Sequence, residues 1–122
     1  MKPLLLGLGA AAISVATIGA ATTASAAEYA PIDCTKASTP APQAVCRSYA
    51  LGQAEARMAT LFSIATSLVA MGQRGDLMDS QHEWLMTRDA CHADTACLAN
   101  AYKLRIEQLN AVMKDIASRG PF

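Results

Sequence analysis

The sequence predicts an all-α fold: a small bundle of three main helices plus a short N-terminal one, stapled by disulfides. Three observations lead there. Apolar residues recur every three or four positions along each long stretch, the spacing of one helical face. Capping residues and helix breakers divide those stretches from one another. Four cysteines stand in a chain that opens with an export-type leader, which favours paired rather than free thiols. No alternating strand pattern, internal repeat or low-complexity linker appears.

The leader is read first. Lys2 supplies a positive charge, Leu4 to Ala21 carries none, and Ala24-Ser25-Ala26 fits a small-x-small cleavage pattern. Residues 1–26 are expected to be a signal peptide and 27–122 a single helical domain. A membrane anchor is the competing reading, but the run is rich in Ala, Thr, Gly and Ser and ends in a cleavage motif. Pro31-Ile32-Asp33 before Cys34 is wrong in type and position for a lipobox, so no lipid anchor is expected. With Lys2 lost, nine basic residues face ten acidic ones, a net charge of −1. That balance argues against binding to nucleic acid or to anionic lipid.

The elements follow in order. Residues up to Ser38 read as irregular, and Thr39-Pro40 then starts a short helix to about Arg47. Ser48 caps a second helix whose apolar positions are Leu51, Ala54, Met58, Leu61, Phe62, Ala65, Leu68 and Val69. Gly72 and Gly75 are expected to end it in a turn. Asp76 is then expected to cap the third helix, with Asp79 adding negative charge to its first turn. Asp94 caps the fourth, whose buried stripe reads Cys97, Leu98, Ala101, Tyr102, Arg105, Leu109, Val112, Met113 and Ile116. Arg119-Gly120-Pro121 stops it.

A domain of this size buries a limited core and gains from covalent staples. Four cysteines allow three pairings. Cys34–Cys46 and Cys91–Cys97 are favoured, because each closes a short loop across a helix boundary.

Reactive side chains concentrate between Gln81 and Leu98, and each chemistry they could support has to be weighed. A zinc site would need about four converging ligands from His82, Cys91, His92 and Cys97, with thiolates free. Export oxidises the thiols, and nine helical residues turn His82 about 180° from Cys91. Catalysis would need a nucleophile beside an oriented base. His82 and His92 lie in polar stretches without such a partner, and Glu83 and Asp89 are about 240° apart. Met58, Met71, Met78, Met86 and Met113 could suggest copper, but methionine at helical spacing is ordinary core filling. No enzyme activity, metal or cofactor is therefore expected.

What remains is a polar stripe. Gln81, Trp84 and Arg88 share one face of the third helix, and Tyr102 and Arg105 share one face of the fourth. A buried guanidinium requires a partner, for which Glu55 on the second helix is the natural candidate. The main reading of this set is a Trp/Tyr core with an arginine–carboxylate lock; the alternative is a recognition surface.

These residues resemble the lysozyme inhibitor LprI-like family, small exported bacterial proteins. The resemblance runs from about Asp33 to Leu109. It is carried by Asp33-Cys34, Cys46, Gln81-x-x-Trp84-Leu85, Arg88-Asp89-x-Cys91, Cys97-Leu98 and Tyr102-x-x-Arg105-Ile106-x-x-Leu109. Glu55 stands where the family commonly has Asp, and Phe62 where it commonly has Tyr. The resemblance implies a helical, disulfide-stapled periplasmic or secreted protein and, as its partner, a lysozyme to be inhibited. The first expectation is thus a non-enzymatic envelope binding protein that plugs or covers a partner's cleft. The second is a structural or accessory periplasmic protein docking through an apolar helix face, and a small metal-binding protein is the third and least favoured. Arg74, Asp76, His92 and Asp94, expected in exposed loops, are the candidate partner-binding residues.

Overall fold

A computed structural model describes residues 31–120; the expected signal peptide and Pro121 lie outside the described residues. The fold is all-α. Its elements are α1 (Pro40–Arg47), α2 (Tyr49–Leu68), α3 (Met71–Asp89) and α4 (Thr95–Ser118). Helices α2 and α4 run the same way with α3 antiparallel to both, and α2 packs most extensively on α4. Short α1 closes one end, burying Ala41, Ala44 and Val45. No helix among the described residues is long and apolar enough to cross a membrane.

The expected starts hold for three helices. Thr39 is the N-cap of α1 with Pro40 following, although the threonine hydroxyl makes no cap bond. The Ser48 Oγ accepts from the Leu51 N–H at 3.3 Å and starts α2. Asp94 Oδ1 accepts from the Cys97 N–H at 2.9 Å and starts α4. Each satisfies an amide that the first helical turn would otherwise leave open. Gly120 adopts φ 98° just past the end of α4, a conformation open to glycine at little cost.

The turn between α2 and α3 is corrected. It is made by Val69 and Ala70, both extended, and α3 begins at Met71 rather than at an Asp76 cap. Gly72 and Gly75 lie inside the helix. Continuing the helix gives backbone donors their partners, as in Arg74 N–H to Ala70 O at 2.9 Å. That gain outweighs a glycine penalty of about 1 kcal/mol each. Both glycines face open space, so no packing is lost there. Two core assignments also change. Leu68 is 43% exposed because it lies about 120° round the helix from the buried Phe62, at about 100° per residue, whereas Glu55 and Thr66 are buried on the inner face. Cys97 is exposed, its sulfur turned across the bend to the buried Cys91, and Leu98 takes the inward position.

The core centres on Met58, Leu98, Tyr102 and Leu109, which are fully buried. Phe62, Ala65, Leu77 and Trp84 extend it along the bundle. Both favoured disulfides are present, Cys34–Cys46 and Cys91–Cys97, with Cα–Cα distances of 5.7 and 5.6 Å.

Candidate functional site

The polar stripe assembles where the first halves of α2 and α4 meet the end of α3. Glu55, Gln81, Arg88 and Arg105 are buried among apolar side chains. The Tyr102 hydroxyl donates to Glu55 Oε2 at 2.6 Å. The Arg88 guanidinium lies 4.0 Å from the same oxygen and donates to Asp89 Oδ1 at 2.8 Å. It also sits 5.7 Å from the centre of the Trp84 ring, a cation–π distance. Trp84 meets Tyr102 edge to face at 5.1 Å and donates its indole N–H to the Ala101 carbonyl at 3.1 Å. The Ile32 N–H donates to Glu55 Oε1 at 3.2 Å, which ties the segment before α1 into the cluster.

Arg105 forms a second centre. Its Nε donates to Gln81 Oε1 at 2.9 Å, and its terminal nitrogens reach Gln108 Oε1 and Ser80 Oγ, both at 3.2 Å. The Gln81 amide nitrogen in turn faces the Met58 sulfur at 3.3 Å. Burial lowers the Arg105 pKa from its ordinary value, as removal from water disfavours a charge. The single lock expected from the sequence is thus two clusters: Glu55 serves Arg88 and Tyr102, and amide and hydroxyl oxygens serve Arg105. The roles of Asp89, Ser80, Gln108 and the Ile32 amide were not foreseen. Asp89 and Gln108 lie one and three residues from the arginines they serve, a local signal the sequence did carry.

Chemically this assembly holds helices together. Among the described residues no buried side-chain nitrogen or oxygen lacks a partner. His82 and Glu83 point to solvent. Among the described residues no group of three or more His, Cys, Asp or Glu side chains could hold a metal ion.

The candidate partner-binding residues are not brought together. Arg74 and Asp76 are exposed on the first turns of α3 rather than in a loop, because that helix begins at Met71. His92 and Asp94 lie beyond the other end of α3, about 25 Å away at 1.5 Å per helical residue. His92 is exposed with φ 52°, a left-handed backbone that bends the chain inside the Cys91–Cys97 loop. The Asp94 carboxylate is engaged as the α4 cap.

The surface carries shallow grooves between helices. One of about 460 Å³ lies between α2 and α4, over Ala54 and Ile106. Two lie end to end between α3 and α4, of about 500 and 270 Å³, and share Ser80. Another of about 390 Å³ adjoins the Cys34–Cys46 bridge.

No family model matches the chain, and no solved structure matches it. Among curated proteins it is similar to lipoprotein LprI of Mycobacterium bovis and of two strains of Mycobacterium tuberculosis, 36% identical over 81 residues in each case. The similarity covers 64% of this chain and 40% of each relative. The chain thus spans about two fifths of the length of the curated relatives it matches.

Proposed function

From its similarity to lipoprotein LprI over 81 residues, we propose that this protein is a non-enzymatic, exported binding protein of the bacterial cell envelope and that it inhibits lysozyme. The observation that carries the binding reading is the closure of the buried polar groups on one another. Glu55, Gln81, Arg88, Tyr102 and Arg105 are all consumed in holding the helices. What is left to act is the outer surface of a stapled, rigid body. A rigid surface binds with little ordering cost. Inhibition follows from covering a partner's cleft, without chemistry on either protein.

In this reading residues 1–26 are removed on export and 27–122 form the working domain in the periplasm or outside the cell. The relatives are named lipoproteins, so an acylated form is the natural rival for localisation. Mass spectrometry of the exported protein separates the two: a free N-terminus at Ala27 supports secretion, and an acylated cysteine overturns it. Of the candidate contacts, the Arg74/Asp76 end and the His92/Asp94 end are too far apart to enter one cleft, so one end alone serves.

The deciding test is a lysis assay with purified, oxidised protein against several lysozyme types. Unchanged lysis at micromolar inhibitor overturns the lysozyme reading. A second reading, an accessory protein docking on an envelope complex, is favoured by the exposed Ile64, Leu68 and Met71 at the α2–α3 corner. Co-purification from an envelope fraction that is lost in an Ile64→Ser/Leu68→Ser variant would support it.

A further inference from the structure

The two cavities between α3 and α4 lie end to end along one trough and share Ser80, where Arg105 donates across from α4 at 3.2 Å. Its walls are regular. On α3 the lining residues are Gln73, Asp76, Ser80, Glu83 and Thr87, spaced three, four, three and four apart. On α4 they are Ala101, Leu104, Gln108, Ala111 and Asp115, at the same spacing. That alternation keeps one narrow stripe of each helix facing a common neighbour, as in a coiled-coil seam. The floor is apolar where Leu77, Trp84 and Val112 reach it. Leu104 on the lip is 49% exposed, with no helix of the described chain covering it.

The excess charge on the rim is negative and lies on the α3 wall, where Asp76 and Glu83 stand; Asp115 on the α4 wall is matched by Arg119. Arg119, at one end, is already 2.9 Å from Asp115. Arg105 in the floor is turned inward to Gln81, Gln108 and Ser80. The trough therefore presents apolar surface beside the α3 carboxylates of Asp76 and Glu83.

We propose that this α3/α4 trough is a docking face for a basic amphipathic helix of a protein partner. It rests on the reading of the chain as a binding protein and adds where the partner sits and what it looks like. The three–four spacing of both walls matches the ridges of a third helix. The partner's apolar stripe would lie chiefly over Leu104 and the half-buried Val112, with its lysines or arginines beside Asp76 and Glu83. From Gln73 to Thr87 the wall is about 21 Å long, which accommodates about four helical turns. A second copy of the chain fits poorly, because trough against trough would set carboxylates against carboxylates.

The test uses the full, oxidised protein labelled with ¹⁵N and a stapled helical peptide of about 15 residues, with leucines along one face and lysines on both flanks. A matching peptide carries glutamates in place of the lysines. The lysine peptide is expected to shift the amides of the trough walls between Gln73 and Thr87 and between Ala101 and Asp115. Its affinity should fall at least tenfold in Asp76→Asn/Glu83→Gln/Asp115→Asn and stay unchanged in Glu107→Gln, which lines the separate α2/α4 groove. The glutamate peptide should not bind. Shifts confined to the α2/α4 groove, equal binding of both peptides, or no shift at millimolar peptide would overturn the proposal. So would sedimentation as a dimer that the triple variant dissociates. The lysis assay separates the two readings. If the wild-type protein inhibits and the triple variant inhibits equally, the trough is wrong and the binding reading stands.

Discussion

The two ends of this bundle are built differently. At one end the start of α2, the end of α3 and the start of α4 enclose Glu55, Trp84, Arg88 and Tyr102, and both disulfides close over them. At the other, the α2–α3 corner leaves Met71 in water and Ile64 and Leu68 partly exposed, and its ion pair, Arg119 with Asp115, is on the surface. The first end resists rearrangement because charges removed from water must keep their partners. The second has no such penalty, since its side chains remain hydrated. Stability is concentrated at one pole, and the open trough runs toward the other.

The comparison is broken most directly at Glu55. Glu55→Ala would take the acceptor from the buried Tyr102 hydroxyl and from the Ile32 amide and remove one carboxylate beside Arg88, which keeps its bonds to Asp89; a loss of about 2–4 kcal/mol is expected by chemical denaturation. A loss below about 1 kcal/mol would mean that the cluster is hydrated and the contrast false. Removing the Cys91–Cys97 bridge with a double Cys→Ser change should cost about 2–3 kcal/mol, mainly by freeing the unfolded chain. The same assay under reducing conditions should show the combined loss of both bridges. Tyr102→Phe keeps the packing and removes the donor to Glu55; about 1–3 kcal/mol is expected to disappear.

At the opposite pole the expected effects are small. Met71→Gln should change stability by no more than about 0.5 kcal/mol, since its side chain is 90% exposed. A larger loss would reveal a cover over the corner. The least effect concerns pH. The Thr35 hydroxyl and amide both donate to Asp33 and hold its pKa below the ordinary carboxylate range. A carboxylate with a depressed folded pKa contributes above its unfolded value, and that contribution is lost as pH falls through the folded pKa. An NMR titration of Asp33 should therefore inflect below about 3.9, the ordinary aspartate value. Inflection at or above that value would show that the Asp33–Thr35 turn is not formed.

Much of this structure was legible before any coordinates. Ser48 and Asp94 announced helix starts because a short oxygen-bearing side chain can satisfy an open amide within its own turn. The disulfide pairing followed from loops short enough to close locally. Gln81, Trp84 and Arg88 shared a stripe by spacing alone. The α2–α3 turn was misplaced because glycine marks a break only on average; Gly72 and Gly75 stay helical when the flanking residues make the reversal. Arg74 and Asp76 consequently moved from a loop onto a helix, and the candidate contacts separated into two distant pairs.

The sequence by itself determined that there are four helices, the starts of three of them, the staples and most of the inward stripe, because these depend on interactions within a few turns of chain. Only the tertiary structure decided which buried charge meets which partner. Glu55 and Tyr102 are 47 residues apart, and no local rule selects Arg88 over Arg105 as the carboxylate's cation. It also decided that α3 and α4 leave a trough between them. A surface made by two antiparallel helices exists only once their relative offset is set by the core beneath them.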